Sequence, residues 1–111
     1  MFYTPSLKIL HKNSFGNIAK CKCCNDLQVT LGNIIFSLTE EEFLDLDIFF
    51  DEIRRDFDLI TNNETRTREY IIKFNFKDLV LAFSHKELQD TIELINYSSI
   101  LLEVNKTIDI F

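Results

Sequence analysis

A chain of 111 residues with 46% hydrophobic and 27% charged side chains is long enough for one modest core and too apolar to stay disordered. Its net charge of −6 argues against general nucleic-acid binding, which needs a basic surface to meet phosphates. Eleven Phe against two Gly and one Pro favour long regular elements, and no apolar run reaches the length of a membrane span.

The N-terminal MFYTPSLKIL lacks the basic start and continuous apolar stretch of a signal peptide, so a cytoplasmic chain is expected. In that compartment cysteines are thiols or metal ligands more often than disulfides. The first expected element is a hairpin over residues 7–24: Leu7–Lys12, a turn at Ser14-Phe15-Gly16-Asn17, then Ile18–Cys23. Lys8, Lys12, Lys20 and Lys22 make this the one basic part of an acidic chain. Asn25-Asp26 then turns the chain into Leu27.

Beyond the hairpin a pattern recurs at a spacing of 45 residues, LQVTLGNIIFSLTEEEF over IKFNFKDLVLAFSHKEL. Each copy reads as strand, tight turn, strand, helix. A two-residue turn at Gly32-Asn33 pairs Leu31 with Ile34, Val29 with Phe36 and Leu27 with Leu38, placing all six on one face. The same reading of the second copy turns at Lys77-Asp78 and aligns Ile72, Phe74, Phe76, Leu79, Leu81 and Phe83; that turn chemistry suits a longer or bulged connection equally well.

Each hairpin runs into a capping box, Thr39-x-x-Glu42 and Ser84-x-x-Glu87, which starts a helix. The first helix is expected from Glu40 to about Phe57, with a core stripe of Phe43, Leu46, Phe50, Ile53 and Phe57. The second begins after Ser84, carries Leu88, Ile92, Ile95 and Leu102 on one face, and reaches about Val104. Asn96-Tyr97-Ser98-Ser99 is a stretch where it has reason to stop. TNNETRTRE (61–69) is a polar connection between the copies.

The expected whole is a single domain over residues 1–111: N-terminal hairpin 7–24, repeat one 27–57 and repeat two 70–104. Its class is α+β, a two-layer domain in which an antiparallel sheet of about six strands carries two helices on one face. Ile35, Val80 and Ala82 point away from the helices, and Leu44 and Ile48 lie off the first helix's core stripe. A second copy of the chain is the simplest cover for such surfaces.

All three cysteines fall within AKCKCCND. Cys21, Cys23 and Cys24, with His11 on the neighbouring strand, are the candidate zinc ligands, since zinc takes four thiolate or imidazole donors and nearby lysines favour thiolates. The spacing departs from the usual C-x-x-C knuckle, and Cys21 and Cys23 also suit small core positions on a half-buried strand. A redox pair is the third reading, although thioredoxin-like chemistry wants C-x-x-C at a helix start and this cluster precedes a strand.

Arg54, Arg55, Arg66 and Arg68 form the other cluster. They suit a phosphate or carboxylate if they converge, and, more simply, a helix C-terminus and a solvated loop if they do not. His85, in the first turn of the second helix, reads as a surface residue. No motif for nucleotide binding, zinc proteolysis or serine hydrolysis is present, and no catalytic residues are assigned.

Cys21-Lys22-Cys23-Cys24, the alternating strand Leu27–Leu31, the Gly32-Asn33 turn and the acidic helix start Thr39–Glu42 together resemble a family of small bacterial proteins known as a domain of unknown function. The resemblance lies in the first half of the chain. It implies a bacterial, cytoplasmic setting and supplies no activity or ligand. The expectation is therefore a non-enzymatic protein-interaction module without a cofactor, binding a protein partner or itself as a homodimer, with no nucleic acid and no membrane. A zinc-binding structural or regulatory domain is the alternative.

Overall fold

The computed structural model describes residues 7–22, 25–57, 68–74 and 78–108. The elements run β1 (Leu7–Lys12), β2 (Gly16–Cys21), β3 (Leu27–Leu31), β4 (Ile34–Leu38), α1 (Glu40–Phe57), β5 (Tyr70–Lys73), β6 (Val80–Phe83) and α2 (His85–Ile108). All strand pairs are antiparallel, and the class is α+β.

The six strands form two sheets rather than one: β1-β2-β3-β4 and the separate pair β5-β6. Side chains, not a backbone ladder, join them. Phe74, which follows β5, meets Phe36 of β4 edge-on at 5.9 Å between ring centroids, and Phe49 and Phe50 of α1 close on the same ring. Edge-to-face packing of this kind fills the junction with apolar volume, whereas a continuous ladder requires backbones about 4.8 Å apart.

The β3–β4 register is the one the alternation dictates: Leu31 opposite Ile34, Val29 opposite Phe36, Leu27 opposite Leu38. Gly32 supplies the positive φ of +60° that its turn requires. In the second hairpin the register moves by two residues, so that Tyr70 rather than Ile72 lies opposite Phe83, and Ile72 lies opposite Leu81. Phe74 N–H donates to the Leu79 carbonyl at 2.9 Å and closes a longer loop than the expected two-residue turn. Phe76 and Lys77 lie outside the described residues. A shift of two preserves facing, so Phe74, Leu81 and Phe83 still enter the core.

The N-terminal hairpin turns earlier than expected. Asn13 accepts from the amides of Phe15 and Gly16 through its side-chain oxygen, and its own N–H donates to the Gly16 carbonyl. Gly16 thereby opens β2, and a Cβ there would stand 1.9 Å from the Thr30 carbonyl oxygen. Leu10 is an extra residue in β1, a bulge between the Ile9–Ala19 and His11–Ile18 pairs, and it turns into the core.

Both capping boxes are formed. Thr39 N–H reaches Glu42 and Glu42 N–H reaches Thr39 Oγ1; Ser84 and Glu87 do the same. Phe43, Leu46 and Phe50 are fully buried, while the Phe57 side chain lies outside the described residues. α2 packs on β1 and β2, and α1 lies beside it over β4.

α2 does not stop at Asn96–Ser99, and its buried face is broader than the expected stripe, adding Thr91, Leu94 and Ser98. Each residue of the weak stretch from Tyr97 on has a tertiary reason to stay helical. Tyr97 stacks on His11 at 5.0 Å, Ser98 is buried in the core, and Ser99 Oγ donates to Asp47 on α1 at 2.9 Å. Tertiary packing here overrides low helix propensity.

Candidate functional site

The cysteine cluster sits where β2 ends. Cys21 closes β2 opposite Leu7, and its N–H donates to the Asp26 carbonyl at 2.9 Å, one step beyond the Lys20–Leu27 pair of the β2–β3 ladder. Cys21 is half-buried; Cys23 and Cys24 lie outside the described residues. Among the described residues no group of three or more His, Cys, Asp or Glu is arranged to hold a metal ion.

The β1–β2 register does not bring His11 to Cys21. His11 lies opposite Ile18, three residues from Cys21 along β2, or about 10 Å by strand rise. Alternation also turns the two side chains to opposite faces. The His11 ring stacks on Tyr97, and its Nε2 lies 3.1 Å from Glu93 Oε1. Asn13 Nδ2 donates to the same oxygen and to the Asp90 carbonyl. Hydrogen bonds from His11 and Asn13 hold the Glu93 carboxyl below its ordinary range. These contacts fasten the β1–β2 turn to α2.

The described arginines engage different carboxylates. Arg54 and Arg55 both fold onto Asp51, one turn earlier on α1, and lower its carboxyl pKa. Arg68 forks onto Glu87, the capping residue of α2, at 3.0 and 3.1 Å. That bond is the main reason the Glu87 carboxyl is also held low. Arg66 lies outside the described residues. His85 is half-buried rather than exposed, with Nδ1 3.4 Å from the Tyr70 hydroxyl.

One lysine of the basic hairpin turns inward. Lys20, only 8% exposed, faces the helices from β2 and donates to Glu40 Oε1 at 2.8 Å. Lys106, near the end of α2, reaches the other oxygen at 3.3 Å. The Lys20 hydrogen bond is the largest cause of the lowered Glu40 pKa. This charged bridge joins β2, the start of α1 and the last turns of α2, a position consistent with structural work.

The surface offers apolar area in place of a reactive cluster. Ile9, Ile35, Ile48, Ile71, Val80, Ile100 and Val104 are all exposed, several of them beyond half. Leu44 and Ile48 are spaced four apart and form a ridge on α1; Ile100 and Val104 do the same on α2. On β5–β6 the outward positions are Ile71, Lys73, Val80 and Ala82. Beside them lies a groove of about 430 Å³ between β6 and the β3–β4 turn, walled by Phe15, Ile34, Val80, Ala82, Phe83 and Arg68. Strand alternation and helical spacing disclosed the exposed Ile35, Val80, Ala82, Leu44 and Ile48. The groove was hidden, because it needs the placement of one hairpin against another.

Among the described residues no helix is long and apolar enough to cross a membrane. No curated protein matches the chain, and no solved structure does. The family that matches is described as "Family of unknown function (DUF6686)", and the match spans residues 3–110, well beyond the first half that carries the resemblance in motifs. The chain therefore belongs to this family of unknown function.

Proposed function

We propose that the chain is a non-enzymatic protein-interaction module whose first partner is a second copy of itself, with a homodimer as the smallest assembly. The observation that supports this reading is the clustering of exposed apolar side chains. Single exposed hydrophobes are ordinary on a protein surface. Here Ile48 (61% exposed) adjoins Leu44 on one helical ridge, and Ile71 (71%) shares the outward face of β5–β6 with Val80 (55%) and Ala82. Contiguous patches of this kind gain free energy when another surface covers them.

Sedimentation velocity over a concentration series tests the reading. A mass of two or more chains at micromolar concentration is expected. A strictly monomeric chain over the whole series would overturn self-association.

A further inference from the structure

The groove beside β6 runs along the edge of that strand. All four residues of β6 line it, the inward Leu81 and Phe83 as well as the outward Val80 and Ala82, and no residue of β5 does. Successive side chains of a strand point to opposite faces, so a groove that meets both facings lies against the strand's edge. Among the described residues β6 pairs with β5 alone, and its second edge is the one that opens here.

The register determines which backbone groups that edge presents. Phe74 N–H donates to the Leu79 carbonyl, which makes Phe74 and Leu79 a hydrogen-bonded pair. Bonded and non-bonded pairs alternate along an antiparallel ladder. Ile72 with Leu81 and Tyr70 with Phe83 are then bonded pairs, whereas Lys73 with Val80 and Ile71 with Ala82 are not. Val80 and Ala82 therefore turn their N–H and C=O groups away from β5, and among the described residues no hydrogen-bonding partner meets them.

We infer that this edge takes up an extended segment of a partner protein as a third strand beside β6, with alternate apolar side chains against Phe15 and Ile34 and basic residues at its ends. Strand addition draws affinity from main-chain hydrogen bonds and specificity from alternate side chains. The free donors and acceptors of Val80 and Ala82 call for an extended backbone, because a helix has already bonded its own amides internally. Charge sets the ends of the segment. Arg68, the one charged wall residue among those described, is held by Glu87, and on the hairpin exposed Glu69 and Asp78 outnumber Lys73 in a chain at −6. An uncharged centre with basic ends complements that arrangement. The inference rests on the reading of the chain as a protein-interaction module and is separate from its self-association.

The test uses the whole isotope-labelled chain and, as the partner segment, a capped heptapeptide Lys-Val-Thr-Ile-Thr-Val-Lys. Without peptide, amide hydrogen exchange measured by NMR is expected to be fast at Val80 and Ala82 and slow at Leu81 and Phe83. Saturating peptide is expected to slow Val80 and Ala82 by about tenfold or more. Two further peptides are N-methylated, one on its Val and Ile amides and the other on its Thr amides. One is expected to bind about tenfold more weakly than the other, because only alternate amides of an added strand face β6. Ala82→Pro deletes an edge donor that the ladder to β5 does not use, and is expected to weaken the unmethylated peptide by a similar factor. Equal binding of the two methylated peptides would overturn strand addition, as would no binding of the parent peptide. Slow exchange of Val80 and Ala82 in the free chain would also overturn it, and slowing that grows with protein concentration would place a second copy on the edge instead. Sedimentation velocity decides self-association independently of all these outcomes.

Discussion

Asp47 on α1 accepts a hydrogen bond from Ser99 on α2 at 2.9 Å, and this bond lies on the antiparallel helix pair that Glu40 and Lys106 close at one end. Burial raises the Asp47 carboxyl pKa, the Ser99 bond opposes the rise, and the charge of Asp51 adds to it. A carboxyl with a raised folded pKa costs stability when ionised, and the cost disappears as pH falls below the unfolded value. Asp47→Asn keeps an acceptor for Ser99 and removes the charge. Its melting temperature is expected to match or exceed wild type at pH 7, with the difference vanishing toward pH 3. Thermal unfolding at a series of pH values measures this, and a lower melting temperature at pH 7 would contradict it.

The Lys20–Glu40 bridge carries the opposite sign. Glu40 has a lowered folded pKa, so its contribution is full above the ordinary carboxylate range and is lost as pH falls through the lowered value. Glu40→Ala removes the carboxylate that Lys20 and Lys106 share and is expected to cost about 1–3 kcal/mol at pH 7. Lys20→Met removes the ammonium while keeping the apolar stem, and is expected to cost less. Urea unfolding of the two variants ranks them.

The two helix caps differ in setting. Ser84 is buried and Thr39 exposed, and Glu87 also holds Arg68. Thr39→Ala is expected to cost about 0.5–1 kcal/mol and Ser84→Ala about 1–2 kcal/mol. Equal losses would mean that burial adds nothing to the second cap.

Gly16→Ala is expected to be strongly destabilising. The new Cβ would meet a backbone carbonyl at 1.9 Å, and a paired strand has no side chain to rotate aside. A loss of about 3 kcal/mol or more is expected. Ser98→Ala is its counterpart, since Ser98 Oγ is buried without a hydrogen-bond partner among the described residues. Replacement is expected to be neutral or stabilising by chemical denaturation.

A zinc site built on Cys21, Cys23 and Cys24 can be separated from His11. His11 is engaged with Glu93 and Tyr97 on the face away from Cys21. His11→Ala is accordingly expected to leave the metal content of the purified protein unchanged while lowering its melting temperature. Elemental analysis beside thermal unfolding checks both; a fall in zinc with His11→Ala would restore the imidazole as a ligand.

Much of the architecture was legible because it is local. Alternation in Leu27–Leu31 and Ile34–Leu38, with Gly32-Asn33 between them, determined the first hairpin and its register, and Thr39-x-x-Glu42 and Ser84-x-x-Glu87 determined where both helices begin. The same alternation marked Ile35, Val80 and Ala82 as outward. The cysteine cluster drew attention by its composition, but which face Cys21 presents relative to His11 depends on the β1–β2 register, which spacing alone does not reveal.

What only the tertiary structure decided depends on residues distant in sequence. A bulge at Leu10 set the facing of His11, and α2, 82 residues away in the chain, captured that ring through Glu93. Asp47 and His11 kept α2 helical through Tyr97 and Ser99, where propensity alone favours a stop. The six described strands form two sheets, and Phe36 meets Phe74 where they adjoin. Periodicity determines which face of an element is apolar; which partner covers that face is settled by long-range packing, because burial free energy is non-directional and any apolar surface of fitting shape satisfies it.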